Sequence, residues 1–250
     1  MKFIGIIPAR YASTRFPGKP LADLGGKPMI QWVYENTLQS IDNVIVATDH
    51  PDIESAVKGF GGKVIMTSTE HPSGTDRCAE VIKILQKNGE SYDVALNIQG
   101  DEPFIRNTHL SLLQQAFDKE ETQIATLANI IEDPDELFDP NIVKIVTGKG
   151  GRALYFSRSP MPYLRNRPEN EWFRSFKYMK HLGMYAYKTK ILEQITKLKT
   201  SPLEQAESLE QLRWLEDGYR IIVHITTEVG IGIDTPEDLE KARRIISSQS

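Results

Sequence analysis

Cysteine is nearly missing from this sequence, with Cys78 the single example in 250 residues. That excludes an internal disulfide framework and a multi-cysteine zinc site, and it fits a reducing compartment. Cys78 falls on the apolar side of a periodic segment and reads as core filler, not as a nucleophile. Excess positive charge is missing too: the formal net charge is -4, which argues against a nucleic-acid binder held by bulk electrostatics. Any anion site must therefore be local. No stretch approaches the ~20 apolar residues of a membrane span, and the apolar run in MKFIGIIPAR is too short for a signal peptide. Together these absences lead us to expect a soluble cytoplasmic protein with neither a nucleic-acid nor a membrane partner. G-x-x-x-x-G-K-[ST] is also absent, which disfavours a Walker-type ATPase. Gly148, Gly150 and Ala153 do match G-x-G-x-x-A. The following LYFSRSP, however, reads as a strand and a proline turn where the fingerprint needs a helix, so a hairpin turn is expected.

What is present is an alternation of two periodicities. FIGII (3 to 7), NVIVAT (43 to 48), KVIM (63 to 66), DVALNI (93 to 98) and IATLA (124 to 128) are short, apolar and β-branched, as strands covered on both faces should be. Between them, residues 28 to 41 carry Ile30, Val33, Thr37 or Leu38, and Ile41 at helical spacing, and residues 74 to 86 carry Cys78, Val81, Ile82 and Leu85, with Ser73 as N-cap. The pattern predicts an α/β fold with a doubly wound, mostly parallel sheet, whose ligands sit outside the carboxyl ends of the strands. From about 142 to 187 it changes to IVKIV, ALYF and GMYAY around a polar, aromatic stretch, SRSPMPYLRNRPENEWFRSFKY. We expect an antiparallel insertion there, serving as a substrate lid or an oligomer arm, within a single domain spanning 1 to 250. Helical patterning returns at 203 to 216, a strand at 221 to 226 and a final helix from about 236.

Three constellations carry chemistry. IIPARYASTRFPGKPL (6 to 21) follows the first strand directly and sets Arg10, Arg15 and Lys19 among prolines and Gly18. Arginine forks suit phosphate oxygens and lysine adds a point charge, so these cations could hold a triphosphate; the alternative is a solvated basic turn. NIQGDEP (97 to 103) places Asp101 and Glu102 at the exit of another buried strand. An acid there reads as a Mg²⁺ ligand beside phosphates, or as a turn carboxylate capping a helix after Pro103. In GIDTPEDLE, Thr235, Pro236 and Asp238 already account for a helix start, which leaves Asp234 free for another task; it follows a strand-like GIGI. Elsewhere the default readings are ordinary. Ser73, Thr75 and Arg77 in PSGTDR are a cap and surface charge, His181 in KHLGMYAY is structural, and Glu207, Glu210, Gln211 and Arg213 are the solvated face of one amphipathic helix, 207 to 218, with Leu209, Leu212 and Leu215 inward.

Taken in order, IIPARYASTRFPGKPL, VATDH, SGTDR, NIQGDEP, ALYFSR, KHLGMYAY, SPLEQAESLEQLRWLEDG and GIDTPEDLE closely resemble the 3-deoxy-manno-octulosonate cytidylyltransferases, the CMP-Kdo synthetases of lipopolysaccharide biosynthesis. The resemblance runs through nearly the whole chain, with no motif placed between 160 and 178. It implies a glycosyltransferase-A-like, nucleotide-diphospho-sugar transferase fold and a reaction in which CTP and Kdo give CMP-Kdo and pyrophosphate. By the same resemblance, Arg10, Ser13, Arg15 and Lys19 hold the CTP phosphates, and Gln99, Ser73 and Arg77 lie near the nucleotide. It also makes Asp101 and Asp234 the Mg²⁺ ligands and, with Lys19, the catalytic set. Arg158, His181, Tyr185, Glu210 and Gln211 would line the sugar site. A homodimer joined through the 142 to 187 insertion is implied as well. The alternatives are a cytidylyltransferase for 8-amino-Kdo or a sialic acid, and a non-catalytic nucleotide-binding module.

Overall fold

The computed structural model describes every residue except Ser13, Thr14, Arg15, Val229, Ile231, Asp234 and those from 248 to 250. It comprises two compact units, Met1–Ser111 with Gly230–Ser250, and Leu112–Val229.

In the first unit β1 (Phe3–Ala9), β2 (Val44–Thr48), β3 (Val64–Met66) and β4 (Val94–Asn97) lie in the order β3-β2-β1-β4, all parallel. Every residue of β2 and β4 is buried, as are Ile4, Ile6 and Ile7 of β1. Consecutive positions can all be apolar because both faces of a parallel sheet are covered. The covering helices are α1 (Met29–Leu38), which buries Met29, Ile30, Val33, Tyr34 and Thr37, and α3 (Gly74–Lys87), which buries Cys78, Val81, Ile82 and Leu85. Cys78 is thus core filler, as expected. Shorter α2 (Pro51–Gly59) contributes Ile53 and Val57, and α4 (Asn107–Gln115) follows β4. The closing helix Pro236–Ser247 belongs to this unit; its Leu239 and Ala242 pack with Leu24, Met29 and Ile233.

The chain runs outward from β1 to β3 and then returns to place β4 on the other side of β1, so the β1/β4 boundary is the topological switch point. Just beyond it a Cβ on residue 100 would lie 2.8 Å from the Pro8 carbonyl oxygen. Real side chains do not tolerate that distance from backbone, which explains Gly100.

Four local expectations fail here. β3, expected to be covered on both faces, is an edge strand with Val64 and Ile65 half-buried and Met66 exposed. Gly230, Gly232 and Ile233 of GIGI form no strand, consistent with two glycines that offer a sheet no side chains to pack. Nor does a helix follow Pro103 directly; α4 starts at Asn107. Arg77 is also not a surface charge. It is 0% exposed, and its guanidinium donates to Asp49 Oδ2 at 2.7 Å and to Thr67 Oγ1, fastening α3 to the end of β2.

The second unit holds β5 (Ile124–Ile130), β6 (Lys144–Thr147), β7 (Ala153–Ser157), β8 (Met179–Lys188) and β9 (Ile221–Thr226). β5 runs antiparallel to β8 and parallel to β9, while β6 is antiparallel to both β7 and β8. The antiparallel character expected for 142 to 187 is therefore present, and Gly148 and Gly150 belong to the β6–β7 turn, a hairpin and not a dinucleotide loop. Short helix α5 (Pro134–Phe138) precedes β6, and α6 (Trp172–Ser175) lies within the polar stretch. There Trp172 and Tyr178 are buried against Ile131 and Leu137, which anchors a segment with no sequence motif. After α7 (Thr189–Ile195), the expected single helix over 203 to 216 is two, α8 (Pro202–Glu207) and α9 (Gln211–Glu216). Ser208 takes a left-handed φ of 53° and Leu209 N–H closes onto the Glu204 carbonyl, a left-handed C-cap that ends α8.

His181, on β8, is half-buried. Its Nε2 lies 3.0 Å from Thr126 Oγ1, whose own proton goes to the Met184 carbonyl at 2.7 Å, so the ring donates through Nε2. Burial pushes its pKa down to about 3.

Two stability outcomes follow. Removing one member of a buried ion pair leaves the other uncompensated, so Arg77→Leu should cost about 3–5 kcal/mol in urea unfolding; an unchanged midpoint would refute the fastening role. A histidine whose folded pKa lies below its unfolded value of about 6.5 stabilises fully above that pH and loses this contribution as pH falls toward 3. The melting temperature of His181→Phe should accordingly fall less steeply than the parent's between pH 6.5 and pH 4.

Candidate functional site

The first unit gathers several of the expected nucleotide residues at the carboxyl ends of β1, β2 and β4. Arg10 leaves β1 and is exposed. Lys19 opens a 3-10 turn, Lys19–Leu21, behind Gly18, whose φ of 70° suits glycine. Its Nζ lies 2.7 Å from Asp101 Oδ2, with 14% and 31% of the two side chains exposed. The opening loop and NIQGDEP therefore meet across the switch point. Ser13, Arg15 and Asp234 lie outside the described residues. The residue preceding Asp234 is described: Ile233 N–H donates to the Asp101 carbonyl at 2.9 Å, so the C-terminal segment runs against the β4 exit.

Gln99 is half-buried and its carbonyl accepts from Glu102 N–H at 3.3 Å, making the turn that presents Asp101. Burial, with the Asp101 carboxylate as second cause, pushes the Glu102 pKa up to about 7. Ser73 is the N-cap of α3, accepting from Asp76 N–H at 3.2 Å and donating to Asp76 Oδ2 at 2.6 Å. The start of this helix abuts β1, since a Cβ on Gly74 would lie 3.3 Å from Pro8 Cγ. Arg77 is turned away into its bonds with Asp49 and Thr67. Sequence reasoning missed those partners, and also missed a stack of Tyr11 on His50 with centroids 4.0 Å apart. The only advance signal was VATDH, which places an acid and a ring at a strand end. In chemical terms this edge offers cations and carboxylates side by side, suited to a polyanion accompanied by a divalent cation.

The second unit gathers the expected sugar residues around its aromatic core. The His181 ring lies 5.3 Å from that of Tyr185 and 5.0 Å, edge-on, from that of Phe156. Tyr185 meets Trp214 of α9 at 5.2 Å, and burial together with the Glu210 carboxylate pushes its phenol well above the usual range. Gln211 and Arg213 are 5% and 9% exposed, with Arg213 paired to Glu204 and Glu210. The solvated face assigned to these side chains is thus mostly interior, because the break at Ser208 rotates α9 relative to a continuous helix.

Glu207, also taken as solvated, accepts from Ser157 Oγ at 2.6 Å and from Arg158 N–H at 2.9 Å. The Arg158 guanidinium donates to three main-chain carbonyls, those of Glu207 at 2.7 Å, Pro140 at 2.9 Å and Ser208 at 3.5 Å. The second unit thus holds an arginine fixed by main-chain carbonyls, an imidazole and a phenol that burial keeps neutral, a buried amide and a paired carboxylate, groups that both donate and accept hydrogen bonds.

The family model described as Cytidylyltransferase matches residues 4–221. The 3-deoxy-manno-octulosonate cytidylyltransferase of Parabacteroides distasonis is 56% identical over 253 residues, covering 100% of both chains. That of Phocaeicola vulgatus is 55% identical over 252 residues, covering 100% of this chain and 99% of its own. Among solved structures, a CMP:2-keto-3-deoxy-manno-octonic acid synthetase complexed with CTP superimposes with a TM-score of 0.91 at 44% identity, covering 100% of both chains. Fold and sequence agree over the full length with those of nucleotidyltransferases having the nucleotide-diphospho-sugar transferase architecture. The chain belongs to the cytidylyltransferase family.

Proposed function

We propose that this chain transfers CMP from CTP to 3-deoxy-D-manno-octulosonate (Kdo), giving CMP-Kdo and pyrophosphate for lipopolysaccharide biosynthesis. The observation that carries this reading is the end-to-end likeness, in sequence and fold, to a synthetase whose structure holds CTP. The meeting of Lys19 with Asp101 at the switch point supports it.

In the reaction the C2 hydroxyl oxygen of Kdo attacks the α-phosphorus in line. A new P–O bond forms as the bond between the α-phosphorus and the oxygen bridging to the β-phosphate breaks, pyrophosphate leaves, and the hydroxyl proton passes to solvent. Such a transfer needs positioning and charge neutralisation more than a protein nucleophile. Arg10, Ser13, Arg15 and Lys19 grip the phosphates and offset the charge that grows on departing pyrophosphate. Gln99 and Ser73 border the nucleotide, and Arg77 acts at one remove by holding Asp49. Arg158, His181, Tyr185, Glu210 and Gln211 orient the sugar; with its ring neutral, His181 contributes a hydrogen bond and no charge.

Mg²⁺ suits these residues. Asp101 already faces a cation in Lys19, and its charge helps raise the pKa of Glu102, so hard oxygen donors are crowded there. Mg²⁺ is commonly bound through one or two carboxylates plus substrate phosphates. Asp101 and Asp234 would hold it. When bound it supplies Lewis-acid charge at the reacting phosphate.

The 142 to 187 region would serve as the arm of a homodimer, and the enzyme would work in the cytoplasm. No described helix is long and apolar enough to cross a membrane.

Asp101→Asn should lower turnover by about 100-fold while leaving the melting temperature within a few degrees. Arg15→Ala should chiefly weaken CTP binding. Near-parental rates in Asp101→Asn would refute the acid's role. The substrate assignment is tested by pyrophosphate release with CTP, UTP and ATP, each paired with Kdo, 8-amino-Kdo and a sialic acid. CTP with Kdo should be fastest; a preference for another acid sugar would reassign the substrate, and no release with any pair would leave a binding module.

A further inference from the structure

We infer that Tyr11 and His50 form a clamp that positions the phosphate-gripping loop, making both of them positioning residues for the nucleotide. The inference rests on the reading of Arg10 and Lys19 as phosphate ligands. The two rings stack nearly parallel, with centroids 4.0 Å apart and planes inclined by 16°. Tyr11 also reaches the far end of the loop. A Cβ on Gly18 would lie 3.5 Å from Cε2 and Cζ of the Tyr11 ring, and Gly18 N–H donates to the Tyr11 carbonyl at 2.9 Å. Residues 11 and 18 thereby close the neck of the loop. Arg10 immediately precedes that neck and Lys19 immediately follows it, so a shift of the Tyr11 ring moves the backbone that carries both cations.

His50 is held on the other side by groups that owe nothing to the loop. Its N–H donates to Thr48 Oγ1 at 3.3 Å, and its Nδ1 accepts from Asp52 N–H at 3.3 Å as the N-cap of α2. Its neighbour Asp49 is tied to the fully buried Arg77 at 2.7 Å. The stack thus couples a neck closed at Gly18 to the end of β2. Neither ring is interior filler: both residues are only half-buried, and 32% of the His50 side chain is exposed. An aromatic pair that adds little to the core, placed where a loop bearing two cations begins and ends, fits the role of holding that loop in register.

The role of the ring can be separated from the role of the cap. His50→Asn keeps a side-chain oxygen able to cap Asp52 N–H but removes the ring, whereas His50→Phe keeps a ring for stacking and removes the cap. Steady-state kinetics at saturating Kdo should show the KM for CTP raised about fivefold in His50→Asn, the scale of one aromatic pair, with the KM for Kdo unchanged. His50→Phe should keep the parental KM for CTP while melting at a lower temperature. A parental KM for CTP in His50→Asn, or equal rises in both variants, would overturn the clamp. Arg10→Ala serves as reference. If it raises the KM for CTP while His50→Asn does not, the clamp alone fails; if neither moves it, the phosphate-ligand reading fails and the clamp fails with it.

Discussion

The approach of the β4 exit to the end of β1 is the constraint on which the first unit's chemistry depends. Residue 100 passes so near the Pro8 carbonyl that no side chain fits, and the start of α3 packs on the ring of the same proline. Segments distant in sequence therefore converge on one point, as parallel strands joined by crossovers require. Asp101 reaches Lys19 because Gly100 lets the chain turn there, and the Ile233 backbone closes on Asp101 from a third direction. A bulkier residue at 100 would part β1 from β4 and separate the ion pair, with no charge having been altered.

The two units handle polarity in opposite ways. The first keeps full charges, those of Lys19 and Asp101, at a strand edge, partly open to solvent. The second holds groups that burial keeps neutral, His181 and Tyr185, and gives its charges internal partners, Glu207 to Ser157 and Arg213 to Glu204 and Glu210. Fixed dipoles of that kind orient a ligand without having to rearrange when it binds.

Much of this was legible beforehand because it is written in local pattern. The buried strands announced themselves as runs of apolar, β-branched residues, Ser73 and Thr235 as caps, and the β6–β7 turn by its glycines and the strand that follows. The failures share a cause in long-range contact. Arg77 reads as surface charge because nothing near it in sequence reveals Asp49, 28 residues away. The amphipathic run at 207 to 218 is helical in period throughout, yet Ser208 breaks it, and this turns Gln211 and Arg213 inward. Likewise the polar stretch before β8 shows no motif because its order comes from Trp172 and Tyr178 docking on Ile131 and Leu137. The meeting of Lys19 with Asp101 could be hoped for from strand ends, but only the strand order makes it a fact.

Arg158 illustrates a different limit on what sequences disclose. All three acceptors of its guanidinium are main-chain carbonyls, which any amino acid provides. Position 140 can therefore change without loosening its bond to it, and position 208 can change among residues that accept a left-handed φ, while position 158 must keep a planar fork of the same reach. Selection acting on this contact would leave an invariant arginine beside unconstrained partners, a signature that pairwise covariation between positions cannot register, however many sequences are compared.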